Sequence, residues 1–212
     1  DALAQKVAVN VLSEEVSIIG SEAFMNPSES DEVTLGYYAS TEIGQFTVDF
    51  GARFDFIDRE GSLSHEEEHH DDEDHGDEDH GDEDHGDEHH DEEHEMEYYS
   101  RSDNNTSLSM SLSNEITDSL SFTLGISNVE RTPSSIELFM NGAHMATGRY
   151  EVGDVNLKSE TSRNIDLNFI YERDGYFGNL SFFRNDVDNY IYLQDETEEE
   201  HEEHEDAVSY TH

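Results

Sequence analysis

Histidine and acidic residues dominate one long stretch of the chain, Ser64–Glu97, at a density that few chemistries require. Six of its histidines recur at every fifth position, with Asp or Glu between them. The candidate metal ligands of this stretch are His65, His69, His70, His75, His80, His85, His89, His90 and His94. Neutral imidazole is the commonest protein ligand for zinc, nickel and copper(II), and carboxylate completes such shells. The stretch therefore predicts capture of a borderline divalent metal ion.

The spacing of these histidines is not that of a pre-formed helical metal site. A step of five residues turns successive side chains about 140° apart on an α-helix. The glycines at 76, 81 and 86 also favour a loose backbone. We therefore expect many weak, overlapping sites. An inert acidic spacer and a calcium-binding acidic run are the alternatives, and the nine histidines favour a softer ion than calcium.

A second tract with the same composition lies near the end of the chain. Within the sequence DETEEEHEEHED, His201 and His204 are surrounded by glutamates. Two separate segments thus carry the same ligand types, which strengthens the metal hypothesis.

The overall composition excludes several classes of protein. Among 212 residues there are 10 Lys and Arg against 54 Asp and Glu, a formal net charge of -44. Nucleic acid is excluded as a partner, because phosphate binding needs clustered cations. Cysteine is absent, which removes disulfides, thiolate zinc sites and cysteine nucleophiles. No apolar run reaches the roughly 18 residues of a membrane-spanning helix.

Outside the two tracts, polar and apolar residues alternate in long runs. In 44–59 every second residue is apolar, and the same pattern recurs in 106–116, 120–126 and 165–171. A period of two is typical of a strand with one apolar and one polar face. The sequence therefore predicts an all-β, antiparallel protein with six strands and a seventh in Lys6–Leu12.

The predicted connections alternate between short and long. Short ones lie at 40–44, 114–119 and 173–175, and long ones at 61–97, 132–159 and from 194 onward. Outer-membrane barrels have short periplasmic turns and long extracellular loops, so we expect a segment of a transmembrane β-barrel. Both His/acid tracts then lie at the extracellular end. A soluble β-sandwich is the alternative.

Four motifs in and around the central loop carry a resemblance to a known family. They are R-x-P-x-x-x-E-L-F at Arg131–Phe139, N-G-x-H-x-A-T at Asn141–Thr147, E-x-G-D-x-N-L at Glu151–Leu157 and E-x-S-x-N-x-D at Glu160–Asp166. Together with Ser21–Asp55, this region resembles the TonB-dependent outer-membrane receptors. The His/acid loops resemble most the zinc-uptake subgroup, the ZnuD-type receptors.

The resemblance implies the architecture of a larger protein. It implies a 22-stranded barrel, of which residues 1–212 form six to seven strands, with a plug domain that these residues do not contain. The long extracellular loops would be 61–97, 131–160 and 194–212, partly disordered and rich in acid and histidine. The implied partners are a divalent metal ion, outer-membrane lipid and the TonB system, which acts through the plug. The motif histidine, His144, is implied as a ligand of an inner metal site.

We therefore expect a receptor that takes up a divalent transition metal, zinc first, with nickel, cobalt and copper(II) open. A soluble periplasmic or secreted metal-buffering module is one alternative. A siderophore or haem receptor with incidental acidic loops is another. An enzyme is not expected, because no nucleophile elbow, P-loop, HExxH or positioned acid/base pair is present.

Overall fold

The computed structural model describes residues 3–20, 23–65, 95–144, 146–195 and 207–212, and about three quarters of them lie in β-strands. The elements are β1 (Ala4–Val16), β2 (Ser28–Ile43), β3 (Phe46–His65), β4 (Glu95–Thr117), β5 (Leu120–Arg131), α1 (Ser135–Phe139), β6 (Asn141–His144), β7 (Arg149–Val152), β8 (Glu160–Arg173), β9 (Tyr176–Asp188), β10 (Tyr192–Asp195) and β11 (Ala207–Thr211). In the described part of the chain, no helix has the length and apolar character needed to cross a membrane.

Seven long strands form one antiparallel sheet in the order β1-β2-β3-β4-β5-β8-β9. Each strand pairs with the next one of this order, as in an up-and-down barrel wall. The prediction of an all-β, antiparallel fold is confirmed. The predicted seventh strand, Lys6–Leu12, lies within β1, which continues to Val16.

One face of this sheet is apolar and uncovered. Across neighbouring strands the register aligns Phe50 with Met110, Met110 with Ile126, and Ile126 with Ile165. These four side chains are between 39% and 54% exposed. A β-sandwich would bury such a face against a second sheet, so the sandwich alternative is wrong. A barrel wall presents it to lipid.

The opposite face is polar and has little side-chain bulk at its centre. Ala8 lies opposite Gly36, and Gly51 lies opposite Ser109. In a barrel this is the face toward the lumen. Tyr38 donates a hydrogen bond to Asp49 on this face, over 2.6 Å.

The strands are joined by two-residue turns at one end and by long segments at the other, here called the lower and upper ends. The lower turns are at 44–45, 118–119 and 174–175, and two of them use the left-handed backbone of Gly44 and Gly175. At the upper end the bounds of one predicted loop differ from those of the strands in the structure. We expected the loop to span 61–97, whereas β3 and β4 remain paired up to His65 and Glu95, because backbone pairing does not require the apolar alternation by which the strands were recognised.

The tops of β3 and β4 stand above their neighbours as a two-stranded ribbon. The last β2–β3 pair is Glu29 with Glu60, and the uppermost β4–β5 pair is Asn128 with Leu108. Along the free edge of β3, the side-chain amide of Asn26 donates to the carbonyl of Ser62, and that of Asn141 donates to the carbonyl of Ser64. Side chains thus occupy two acceptors that a further strand would otherwise use.

A small folded unit, here called the cap, covers the upper end of the polar face. It consists of residues 23–27, the described part of 132–159, 189–195 and 207–212, and contains a four-stranded sheet in the order β10-β11-β7-β6. Its apolar centre is formed by Met25, Leu138, Phe139, Leu157 and Ile191. The ring of Phe139 fills the space over Gly61 of β3, where a Cβ atom would lie 2.6–2.8 Å from three ring carbons. The cap therefore packs directly on the sheet.

Candidate functional site

Most of the predicted ligands lie outside the described residues. This applies to His69, His70, His75, His80, His85, His89, His90 and His94 in the first tract, and to His201 and His204 in the second. His65 is the last residue of β3 and pairs with Glu95, the first of β4. Ligation by these histidines stays a prediction.

The residues that flank both tracts lie at the upper end of the sheet. The first tract joins the paired ends of β3 and β4. The second joins β10 and β11, and β11 runs parallel to β7, so that Ala207 lies beside Tyr150. The guanidinium of Arg149 is 3.5 Å from the carboxylate of Asp195. The second tract therefore begins next to the β6–β7 hairpin, which carries His144.

His144 is held by a buried carboxylate. It ends β6, and its Nδ1 lies 2.9 Å from Oε1 of Glu151 on β7. The Glu151 side chain is only 3% exposed, and its Oε1 also accepts a hydrogen bond from Thr147 over 2.7 Å. The ring of Phe24 lies 4.9 Å from the imidazole, centroid to centroid. The side chain of His144 is therefore fixed in direction.

This arrangement suits a single metal ligand. When Nδ1–H of His144 donates to Glu151, Nε2 keeps its lone pair, and carboxylates orient metal-binding histidines in this way. Among the described residues, however, no group of three or more His, Cys, Asp or Glu is arranged to hold a metal ion. His144 and Glu151 thus provide one oriented imidazole rather than a complete coordination shell.

Replacing His144 by alanine should loosen the β6–β7 hairpin. The buried carboxylate of Glu151 would lose its imidazole partner, which we expect to cost about 2 kcal/mol of local stability. Faster amide exchange in 141–152 would report the loss. His144→Gln, which keeps a donor, should be milder, and equal exchange in the two variants would contradict this role for the imidazole.

The motif residues Arg131, Glu137 and Glu160 form a clamp at the base of the cap. Arg131 ends β5 and donates through both terminal nitrogens to the carboxylate of Glu137 in α1, over 2.8 and 3.0 Å. Its Nε donates to Glu160 at the start of β8, over 2.6 Å. Glu137 also accepts from the backbone N–H and the hydroxyl of Ser134, the N-cap of α1.

Both carboxylates of the clamp are stabilised in their ionised form. Burial raises the pKa of Glu137, but hydrogen bonds from Arg131 and Ser134 outweigh it and the pKa lies below its usual value. Burial likewise raises the pKa of Glu160. The hydrogen bonds from Arg131 and from the backbone N–H of Ile191 lower the pKa by more, so it lies below its usual value. The clamp is therefore charged at neutral pH.

Two further arginines fasten the cap to the polar face of the sheet. Arg59 on β3 donates to the carbonyl of Pro133 over 2.6 Å, and Arg101 on β4 donates to the carbonyl of Leu157. The sequence offered no signal for either residue. The clamp, in contrast, lies in the quoted motifs, where the paired Arg and Glu positions could have been interpreted as contacts.

Comparison with known proteins identifies the class to which this sheet and cap belong. Residues 14–199 match the family of TonB-dependent receptor-like β-barrels. The match covers most of the chain, so the chain belongs to this family. Members of the family are outer-membrane transport receptors rather than enzymes.

Individual relatives are considerably longer than this chain. The ferrienterobactin receptor of Escherichia coli K12 is 30% identical over 104 residues, which cover 45% of this chain and 14% of that protein. The fold resembles a double mutant of the hemophore receptor HasR of Serratia marcescens, solved with its hemophore HasA and haem, at a TM-score of 0.66 and 13% identity, covering 99% of this chain and 36% of HasR. The FrpB iron transporter of Neisseria meningitidis gives a TM-score of 0.55 at 13% identity, covering 99% of this chain and 28% of FrpB. The chain thus spans about a third or less of each of these proteins.

Proposed function

We propose that the chain is part of a TonB-dependent outer-membrane receptor that takes up a divalent transition metal, with zinc as the first candidate. The two His/acid tracts would recruit the ion at the extracellular side. The observation that supports this most is spatial: residues flanking both tracts lie at the same end of the sheet as the oriented imidazole of His144. Three sources of imidazole would then serve one entrance.

Electrostatic attraction would be the first step of this function. A net charge of -44 in 212 residues creates a strong negative field, which raises the local concentration of dications and weakens with added salt. Imidazole and carboxylate ligands of the tracts would bind the ion transiently. Because the tracts contain many imidazoles and carboxylates, they would contribute a large number of binding positions rather than selectivity for one metal ion.

Transfer to a tighter site would be the second step. His144 is suited to contribute one ligand, because Glu151 fixes its ring and leaves Nε2 available. The remaining ligands would come from the tracts or from parts of the receptor beyond these residues. Energy for uptake would come from the TonB system, on which receptors of this family depend.

The proposal is tested by metal analysis of the purified full-length receptor. Zinc should bind at pH 7.5, and nickel should compete with it. Binding should fall steeply below pH about 6.5, because protonated imidazole has no lone pair for a metal. Zinc binding that is equally strong at pH 5 would rule out histidine ligation.

A second candidate function is uptake of a ferric chelate or haem. It is favoured by the 30% identity to the ferrienterobactin receptor. Deletion of 64–97 separates the two candidates. Loss of zinc uptake with unchanged uptake of iron chelates supports zinc as the cargo, whereas unchanged uptake of both supports the iron function.

A further inference from the structure

Arg131 differs from the other arginines of the described segments in bridging two carboxylates, those of Glu137 and Glu160. Each carboxylate also accepts a backbone N–H, Glu137 from the N-cap of its own helix and Glu160 from the segment 189–195. Glu137 accepts the N–H of Ser134 over 2.7 Å, and Glu160 accepts the N–H of Ile191 over 2.6 Å. One guanidinium therefore connects β5, α1, β8 and the segment 189–195, here called the arm.

The arm is joined to the central loop by apolar contacts as well. Ile191 is 6% exposed and belongs to the apolar centre of the cap, with Leu138 and Phe139 of α1. Its backbone is held by Glu160 and its side chain by α1. A hydrogen bond also fixes the start of the arm, since the side-chain amide of Asn189 donates to the carbonyl of Ser159 over 3.3 Å.

The two carboxylates of the clamp are largely buried, and the ion pairs of such groups affect stability more than those of exposed groups. The side chains of Glu137 and Glu160 are 15% and 13% exposed, whereas that of Arg131 is 45% exposed, so the burial lies on the carboxylate side of the clamp. Removing the guanidinium would leave two poorly solvated carboxylates without a counter-charge, which is strongly unfavourable. The pair of Arg163 and Asp188 on β8 and β9 is in contrast 60% and 57% exposed, and such pairs contribute little.

We propose that Arg131 is a positioning residue that couples the local stability of the arm to that of the central loop, so that loosening one segment loosens the other. This coupling deepens the proposed function and rests on it for its significance. The arm ends at Asp195, beside Arg149 and the hairpin of His144. A coupled cap keeps the origin of the second tract next to that imidazole.

Hydrogen exchange of the full-length receptor tests the coupling. In Arg131→Gln, amides of both 134–142 and 189–195 should exchange at least about tenfold faster. The segment 134–142 loses the hydrogen bonds between Glu137 and the guanidinium, and Glu160, which accepts the N–H of Ile191 in the arm, loses its counter-charge. Arg131→Lys keeps the charge without the forked geometry and should restore part of the protection in both segments. Arg163→Gln is the matched control and should change neither segment.

Reciprocity provides the second measurement. Since coupling between two segments acts in both directions, Ile191→Ala should speed exchange in α1 as well as in the arm. Acceleration confined to one segment in both variants would overturn the coupling, as would unchanged exchange in Arg131→Gln. Failure of the proposed function has a different signature, the absence of zinc binding by the unaltered receptor, which leaves the exchange results as they are.

Discussion

Gly153→Ala is expected to destabilise the cap, because position 153 lies directly against the backbone of α1. A Cβ atom at this position would lie 2.6 Å from the carbonyl carbon of Leu138 and 2.8 Å from the backbone nitrogen of Phe139. Backbone atoms cannot rotate away as a side chain can, and the N–H of Gly153 is also bonded to the carbonyl of Met140. We expect a loss of about 2–3 kcal/mol of cap stability, measured as faster amide exchange across 134–157.

Gly178→Ala is the matched control on the sheet. Nothing lies within 4 Å of the Cβ atom that this substitution would add, and alanine restricts the unfolded chain more than glycine does. Exchange in the cap should therefore remain unchanged. Equal behaviour of the two alanine variants would show that Gly153 is not a site of close backbone approach.

Replacement of the nine histidines of 65–94 by glutamine should remove most zinc binding outside the barrel. The formal net charge stays at -44, since it counts histidine as neutral, so attraction of dications is preserved while the nitrogen ligands are lost. We expect at least about a tenfold drop in uptake at limiting zinc and little change at saturating zinc, because lost recruitment matters only when the ion is scarce. Uptake of radioactive zinc measures both.

The matched variant changes carboxylates instead. Nine Asp and Glu residues of the same tract become Asn and Gln, with every histidine kept. Zinc should still bind at pH 7.5, while the dependence of uptake on ionic strength should weaken. If the histidine variant takes up zinc normally and the carboxylate variant does not, the tract acts by charge alone.

The seven long strands were predictable because their alternation extends over many residues. In β3 and β8 every second residue is apolar over 46–56 and 165–171, and a period of two needs such a length to be recognised. The central motifs also marked a region of specific contacts. The sequence favoured a barrel over a sandwich by its loop lengths, whereas the structure favours it by the uncovered apolar face of the sheet.

The cap could not be predicted in the same way. The strands β6, β7 and β10 have only four residues each, and α1 has five, which is too short for a period to appear. The contact of Arg131 with Glu160 joins residues 29 positions apart, and only folding brings them together. The sequence did single out His144 through its motif, but nothing in the spacing identified Glu151 as the group that orients it.

The amides of Asn26 and Asn141 on the free edge of β3 bear on how such a protein survives before it is inserted. An exposed strand edge is a template on which another chain can add a strand, and repeated addition leads to aggregates. Because the carbonyls of Ser62 and Ser64 already accept hydrogen bonds from Asn26 and Asn141, an added strand could not pair with these two acceptors. The cap therefore covers part of an edge of β3 that no neighbouring strand of the described sheet pairs with.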